Sequence, residues 1–445
     1  MNAFIQKLLQ AAKDVGFTNA EVYVTEDESF EAAAMEQEIT QYSVNTTRGL
    51  GFRAMLNGKM GYASTEALDD DAIEQLIKGA LDSARLCEDT SEVFLHDGKD
   101  AMPEIALFHP ALEEVAPQQK LDFVLALERE AKEYDPRIER VGDSTVFSTK
   151  YTVRIVNSFG MDRQYTKNLC GAYLQPIARE GESTATGVEI AVVQDFANLC
   201  PNALATSASQ MAIDRLNAKS APSGSYPILF ENRAMASLLG VFVGIFSADN
   251  AQKGLSLLKG KIGEQVAAPC VTMVDNPLME NGFSSRPFDA EGVASAQHVV
   301  VQDGIFKTFL HNLKTAHKDG VQSTGNAGKA GYAGSVHVAP TNFYFEPGEK
   351  SLSEMMEAIK SGILITELSG LHSGANAVSG DFSLLAKGFM ITGGQRAGAV
   401  EQITIAGNFL ELFKSIRAVG SDLYFPSGGI GSPCIDAGEL SVAGA

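Results

Sequence analysis

Four stretches in the amino-terminal half place apolar residues at three- and four-residue intervals, the spacing of an amphipathic helix. The first carries Phe4, Ile5, Leu8 and Leu9 on one face, and Gly16 follows as a C-cap. The second begins with three aspartates, whose charge is favourable at a helix N-terminus. The pattern predicts helices at residues 2–15, 69–86, 118–134 and about 201–217.

Short runs rich in β-branched and aromatic residues lie between these helices and are typical of strands. Asn57-Gly58 separates two such runs, and this dipeptide favours the type I′ turn of a β-hairpin. Because most neighbouring runs are joined by short turns, we expect an antiparallel meander. The predicted strands cover residues 20–25, 30–36, 39–45, 50–56, 59–64, 141–147, 151–157 and 169–176.

The carboxy-terminal half alternates short apolar runs with glycine-rich turns. Residues 218–226, rich in Ser, Pro and Gly, predict a linker in front of it. Residues 227–239 then predict a buried strand that turns directly into a helix. One more helix is predicted at 353–361, with Ser351 or Ser353 as its N-cap. Predicted strands cover residues 228–230, 294–301, 305–310, 384–391 and 402–410.

These elements predict an α+β protein with two architectures. The amino-terminal α/β region should pack helices on a mostly antiparallel sheet, and the carboxy-terminal domain should be mainly antiparallel β and barrel-like. The predicted divisions are an amino-terminal α/β domain at 1–87, an irregular connection at 88–117, a central α/β region at 118–217, the linker at 218–226 and the carboxy-terminal domain at 227–445.

Composition narrows the classes of function. The 445 residues are 45% hydrophobic and 20% charged, which is typical of a soluble globular protein, and we expect no membrane span. The net charge of −20 argues against nucleic acid as a partner, because phosphate binding needs a basic surface. Five cysteines without a C-x-x-C pair favour free thiols in a reducing compartment. With no signal-peptide pattern at Met1 onward, we expect a cytoplasmic protein.

Five histidines fall in the carboxy-terminal part and raise the question of a metal site. A zinc pair on a helix needs histidines about four residues apart, whereas His311 and His317 lie across an expected change from strand to loop. Ordinary surface or hydrogen-bonding histidines are therefore expected. The five are His298, His311, His317, His337 and His372.

Three further motifs have a chemical and a structural interpretation. The glycine-rich residues 325–334 lack the spacing of a phosphate-binding loop, which favours a loop lying close to another backbone. Ser369, His372 and Asp381 could supply a catalytic triad, but no G-x-S-x-G motif is present and a tight connection is the simpler interpretation. Cys434 could be a nucleophile, a metal ligand or a small buried hydrophobe.

Taken together, a series of short motifs resembles the TldD/PmbA family, the modulator of gyrase or TldD–TldE peptidase family, and specifically its PmbA (TldE) branch. The resemblance spans almost the whole chain. Its motifs are Pro287-Phe-Asp-Ala-Glu-Gly-Val293, Gly304-Ile-Phe-Lys-Thr-Phe-Leu310, Thr324-Gly-Asn-Ala327, Leu371-His-Ser-Gly374, Gly380-Asp-Phe-Ser383, Ile403-Thr-Ile-Ala-Gly-Asn-Phe409 and Leu440-Ser-Val-Ala-Gly444.

The resemblance implies a cytoplasmic metalloprotease in which a TldD subunit supplies a His-Glu-x-x-x-His zinc motif and a distant cysteine, and a PmbA subunit pairs with it. The zinc motif aligns with residues 227–239. Phe230 and Met235 then stand where the two histidines would be, Glu231 stands at the general-base position, and Cys434 lies near the third ligand.

The chemistry of these residue types sets the expectation for this chain. Catalytic zinc needs about three protein ligands, phenylalanine has no donor atom, and a thioether is a weak ligand for zinc. We therefore expect no catalytic residue and no metal in this chain, with zinc in a TldD-type partner. Two alternatives are a homodimeric peptide-binding or structural protein without catalysis, and a hydrolase that uses Cys434 or His372.

Overall fold

The structure, a computed structural model, describes residues 1–87, 94–426 and 428–445. The helices are α1 Asn2–Asp14, α2 Asp70–Leu86, α3 Pro110–Glu113, α4 Pro117–Tyr134, α5 Pro201–Asp214, α6 Asn232–Phe242, α7 Ala248–Lys253, α8 Leu313–Asp319, α9 Leu352–Ile359 and α10 Phe409–Ser415. Within these ranges, no helix has both the length and the apolar character needed to cross a lipid bilayer.

The strands of the amino-terminal half are β1 Asn19–Met35, β2 Glu38–Leu56, β3 Lys59–Thr65, β4 Ile138–Asn157, β5 Asp162–Glu180, β6 Ser183–Thr186 and β7 Glu189–Val193. The later strands are β8 Gly224–Phe230, β9 Met273–Asp275, β10 His298–Gln302, β11 Ile305–Phe306, β12 Ala327–Gly328, β13 His337–Val338, β14 Phe343–Phe345, β15 Ser361–Ser369, β16 Asp381–Thr392, β17 Gln395–Asn408, β18 Ala418–Val419, β19 Ile430–Gly431 and β20 Ile435–Ala443.

One antiparallel sheet runs through the whole amino-terminal half, in the order β3-β2-β1-β4-β5-β6, with β7 also paired to β5. Strand β1 lies between β2 and β4, so the regions predicted at 1–87 and 118–217 share this sheet. Of the predicted connection at 88–117, residues 88–93 lie outside the described residues; the rest contains the short helix α3 and the start of α4.

The long strands are continuous where the sequence pattern predicted breaks. Strand β1 replaces the separate strands expected at 20–25 and 30–36, and its polar middle pairs with charges on its neighbours. Glu26 lies 2.7 Å from Arg48 on β2, and Glu28 lies 3.0 Å from Lys150 on β4. Because these partners are distant in sequence, the local pattern could not show that the charged gap is accommodated in a sheet.

The sheet is covered by helices on one face and by the carboxy-terminal half on the other. Helices α1 and α2 pack on the face of β1 that carries Val22, and α4 and α5 pack further along the same face around Phe30. Tyr23 faces the opposite way and packs with Phe288 and Ala327. The fold is therefore layered as helices, sheet and carboxy-terminal domain.

The carboxy-terminal half contains the barrel that the sequence predicted. Strands β17, β16, β15, β8 and β20 follow one another, and β20 also pairs with β17, which closes a five-stranded barrel. The predicted linker at 218–226 runs into it, because β8 begins at Gly224 and Lys219 forms a bridge with Val400. A second sheet has the order β11-β10-β9-β14-β19.

The sequence pattern did not predict the short helices of this half. Helices α7, α8 and α10 have six or seven residues, which is too short for a helical period to stand out. Helix α9 matches the prediction, and Ser351 is its N-cap, accepting a hydrogen bond from the backbone N–H of Glu354. His317 lies in α8, where the sequence had suggested a loop.

Candidate functional site

The candidate site is the junction where β8 ends at Phe230 and α6 begins at Asn232. Strand β8 runs between β15, which is parallel, and β20, which is antiparallel. The backbone N–H of Glu231 donates to Ile365 O at 2.8 Å, and its carbonyl accepts from Met235 N at 3.0 Å. The barrel therefore holds the first turn of α6 rigidly, the strand-to-helix arrangement that the sequence predicted.

Phe230 and Met235 are both completely buried, with 0% exposure. They belong to the main hydrophobic core of the carboxy-terminal domain, together with Ile365 from β15 and Ile435 from β20. Their side chains fill apolar space between the helix and the barrel. Neither offers the nitrogen or thiolate ligand that zinc prefers.

Glu231 is the carboxylate of the junction and is only partly exposed. Burial raises the pKa of its carboxyl above the usual range, while Arg233 and other arginines oppose the shift. Its side chain makes no hydrogen bond that caps α6. The residue could accept or release a proton, but catalysis would also need a bound water or nucleophile in a suitable place.

Cys434 lies just before β20 and is fully buried. Its Sγ is 3.4 Å from Met355 Sδ, and its backbone N–H donates to Asp422 Oδ1 at 2.8 Å. Burial, followed by the Asp422 carboxylate, raises the pKa of the thiol far above its ordinary value. A thiol held neutral in this way is a poor nucleophile, since nucleophilic attack needs the thiolate.

The first turn of α6 also binds the amino-terminal sheet, through residues that the sequence reasoning missed. Arg233 Nη2 lies 2.6 Å from Glu189 Oε1 on β7, and its Nη1 donates to Val188 O at 3.3 Å. The guanidinium stacks 4.8 Å from the ring of Tyr424, whose hydroxyl donates to Ile190 O at 3.3 Å. No local sequence pattern links these residues, because they meet only across the interface.

A cavity of about 310 Å³ opens beside this contact. Its walls come from the outer edge of β7, from the β5 residues around Leu169, and from two loops of the carboxy-terminal half that contribute Phe283 and Phe425. Its volume is at the lower end of the range for small-ligand sites. The cavity and the α6 junction thus share Glu189 and Tyr424.

The outer edge of β7 has free backbone groups next to the cavity. The carbonyls of Val188 and Ile190 accept hydrogen bonds from Arg233 and Tyr424, so even-numbered residues direct their backbone groups away from β5. By alternation, the N–H and C=O of Val192 also face outward. An extended peptide could pair with this edge.

The histidines are dispersed. His298 Nε2 hydrogen-bonds Thr324 O at 2.9 Å, His311 is buried, and the ring of His317 lies 4.1 Å from that of Phe94. His337 and His372 are exposed. Across residues 1–87, 94–426 and 428–445, no three His, Cys, Asp or Glu side chains are grouped in a way that could hold a metal ion.

The other motifs have structural positions. Asp381 accepts a hydrogen bond from Asn408 Nδ2 at 2.9 Å, and it lies on an exposed loop-to-strand connection. The glycine-rich loop lies against β2, as expected: a Cβ on Gly51 would be 2.0 Å from Tyr332 O. Lys329 of this loop stacks 4.3 Å from the ring of Tyr23.

A buried ion cluster joins the sheet to the carboxy-terminal half and was also missed. Arg53 on β2 donates from Nε to Glu21 Oε1 on β1 at 2.7 Å, and its Nη1 lies 3.5 Å from Glu291 Oε1. Glu291 belongs to the motif at 287–293, whose Asp289 accepts backbone N–H bonds from Glu291 and Ala327. This part of the motif therefore holds domains together.

Comparison with known proteins now places the chain in a family. Profiles of the PmbA/TldA metallopeptidase match in three segments: domain 1 at residues 20–84, the central domain at 110–216 and the C-terminal domain at 223–444. The chain belongs to the PmbA/TldD family. The family predicted from its motifs is thereby confirmed.

Relatives agree over nearly the full length. Metalloprotease PmbA of Escherichia coli O157:H7 is 27% identical over 410 residues, covering 91% of this chain and 88% of the relative. A crystal structure of a candidate modulator of a DNA gyrase from Thermotoga maritima is 32% identical, with a TM-score of 0.92 and coverage of 99% and 100%. TldE from Thermococcus kodakarensis has the same fold, with 23% identity, a TM-score of 0.90 and coverage of 99% and 100%.

The family implies a zinc ion in some members, and the side chains at this junction do not fit one. Phe230 has no donor atom, and Met235 offers only a thioether sealed in the core. One thiol, Cys434, and one carboxylate, Glu231, fall short of the three protein ligands of a catalytic zinc site.

Proposed function

We propose that this PmbA/TldE-family chain is the subunit of a two-subunit metalloprotease that does not bind zinc. The observation that carries the proposal is the complete burial of Phe230 and Met235, the residues that the family resemblance aligns with the two histidines of the zinc motif. An apolar pair integrated in the core replaces two of the three ligands. The chain's contribution is then binding of unfolded peptide and enclosure of the proteolytic chamber.

Peptide binding by strand addition is supported by the outer edge of β7 at Val192, beyond the carbonyls of Val188 and Ile190 that Arg233 and Tyr424 occupy. In the barrel of the carboxy-terminal domain, pairing of β20 with β17 closes the ring and leaves its five strands little free edge. The edge beside the junction belongs instead to β7, where Val192 directs its backbone groups outward. Pairing through the backbone accepts many sequences, which suits unfolded substrates.

The partner in this proposal is a TldD-type chain that carries the His-Glu-x-x-x-His motif. A relative named Metalloprotease TldD homolog from Haemophilus influenzae is 24% identical and covers 98% of this chain and 94% of its own length. Similar length and sequence over the whole chain would allow two related subunits to pair as pseudo-symmetric halves. Free cysteines are consistent with assembly in the cytoplasm.

Reconstitution tests the proposal. The purified chain should contain less than about 0.1 equivalent of zinc by elemental analysis, since its ligands are too few. It should co-purify with the zinc-motif chain of the same organism, and only the mixture should hydrolyse an unstructured peptide. Full peptidase activity from the metal-free chain alone would overturn the proposal.

A homodimeric peptide-binding or structural protein is the alternative, and the distal part of β2 favours it. Residues 39–47 carry no charge, Tyr42 and Val44 are 53% and 62% exposed, and β3 pairs only with the later residues 50–56. Two copies could pair along this edge without bringing like charges together. Light scattering on the purified chain and on its mixture with the zinc-motif chain distinguishes a stable homodimer from a heterodimer.

A further inference from the structure

The cavity beside β7 is lined by a lysine that has no ion pair among the described residues. Lys167 Nζ makes one hydrogen bond, to Phe283 O at 3.4 Å, and no carboxylate of the described residues forms an ion pair with it. Lys167 is only partly exposed on the wall of the cavity. A protonated amine in a cavity without a carboxylate partner is a binding group for an anionic ligand.

Lys167 has no carboxylate counter-ion among the described residues, although the chain is acidic. Acidic residues outnumber lysine and arginine by 55 to 35, and Lys150 on the neighbouring strand has two carboxylates within 4 Å. Burial, with a smaller effect from Arg286, lowers the pKa of Lys167 to about 8. The amine is therefore still mostly protonated at neutral pH, at a cost that an anionic ligand would offset.

The position of Lys167 fits the end of a peptide paired with β7. Cys170 on β5 pairs with Val193, the last residue of β7, and Lys167 lies three residues further along β5. That distance is about 10 Å along the strand. The intervening wall is apolar, with Leu169 and Phe283, and the cavity has room for one or two side chains.

We propose that this cavity binds a carboxylate of the peptide, with Lys167 as the ionic partner. This inference rests on the proposed peptide-binding function and names its substrate class: peptides whose free carboxyl terminus, or an acidic side chain, lies just beyond the segment paired with Val192. Lys167 is then a specificity-determining residue, because a neutral group in the cavity leaves the ammonium without a partner.

The test uses three fluorescent peptides of one unstructured sequence and the full-length chain, read by anisotropy. One peptide has a free carboxyl terminus, one a terminal amide, and one a terminal amide with glutamate as its last residue. We expect the free acid, the glutamate amide or both to bind the wild type at least about tenfold more tightly than the plain amide. Comparison of these two peptides identifies the source of the carboxylate.

Variants assign the effect to the lysine. Lys167→Met should remove the preference and leave the affinity for the plain amide within about twofold. The variant should fold, because methionine matches the lysine stem in length and removes a partly buried charge. Lys167→Arg should retain most of the preference. Lys150→Met is the matched control, since it removes one positive charge from the adjacent strand outside the cavity, and it should leave the preference unchanged.

Dependence on pH provides an independent reading. The preference should fall as pH rises from 7 to 9, because deprotonation of Lys167 removes its charge. Equal binding of all three peptides to the wild type would overturn the carboxylate inference while leaving peptide binding intact. If none of the peptides binds the chain or its complex with the zinc-motif subunit, the proposed peptide-binding function fails.

Discussion

Replacing Arg53 by methionine should strongly destabilise the protein, because Arg53 is the cation between two buried carboxylates. The exposed fractions of the Arg53, Glu21 and Glu291 side chains are 4%, 1% and 3%. Methionine matches the length of the arginine stem but leaves both carboxylates without their cation. Removing one partner from a buried ion pair costs about 3–5 kcal/mol, and we expect a loss in this range at pH 7.5.

The stability lost in Arg53→Met should be smaller at lower pH. Burial raises the pKa of Glu291 to about 7, and the positive charge of Arg53 opposes that rise. A carboxyl whose pKa is higher in the folded state stabilises the protein fully below its unfolded pKa of about 4.5, and the stabilisation disappears as pH rises through 7. Between pH 7.5 and 5.5 the wild type should gain about 2 kcal/mol from this group. Without Arg53 the pKa of Glu291 rises further, so the variant gains more stability than the wild type when the pH falls. The difference in free energy of unfolding between the wild type and Arg53→Met should therefore narrow by about 1 kcal/mol.

Urea unfolding followed by far-UV circular dichroism and tyrosine fluorescence measures these differences; the chain has 11 tyrosines and no tryptophan. Arg48→Met is the control, since Arg48 and Glu26 form a pair at 2.7 Å with side chains 51% and 37% exposed. That substitution should cost less than about 1 kcal/mol. A loss of under about 1 kcal/mol for Arg53→Met, or an equal loss at both pH values, would refute the reasoning.

Four other substitutions or treatments test separate features. Gly240 lies on the exposed side of α6, where an added Cβ meets nothing within 4 Å, so Gly240→Ala should raise the free energy of unfolding by about 1 kcal/mol. Gly51→Ala should lower it by about 1–3 kcal/mol and expose the glycine-rich loop to protease. A thiol reagent should label Cys200 in the native protein and leave Cys434 unmodified until the chain is unfolded, as mass spectrometry of peptides would show. Glu128→Ala should cost about 2–3 kcal/mol and speed amide exchange in the left-handed turn between β1 and β2, because its carboxylate accepts two backbone N–H groups there at 2.6 and 2.8 Å.

The sequence predicts the elements whose signal is local. Helices α1, α2 and α4 keep the helical spacing of apolar residues over several turns. Asn57-Gly58 forms the predicted turn between β2 and β3. The junction at Phe230 was also predictable, because a buried strand followed at once by an amphipathic helix is visible in the residue order. In each case the residues that decide the structure are neighbours in the chain.

The features that the sequence did not predict depend on distant partners. The charged middle of β1 fits a sheet because Arg48 and Lys150 lie opposite its glutamates. Arg233 meets Glu189 across the domain interface, and Lys167 is identified by the ion pair that it lacks. Hydrophobic periodicity does not contain this information, since each charged residue looks like an ordinary surface residue until its environment is known.

The pairing of β1 and β8 with distant strands has a consequence for how the protein is made. During synthesis on the ribosome, Glu21 cannot pair until Asn157 has been made. Gly224 likewise cannot pair until Val442, near the end of the chain, has been made. Such long loops close late and slow folding, so the exposed edges of both strands need protection during synthesis. Deleting the last ten residues would remove most of β20 and leave the barrel open, and the nascent chain would then remain exposed to chaperones and proteases instead of completing its fold.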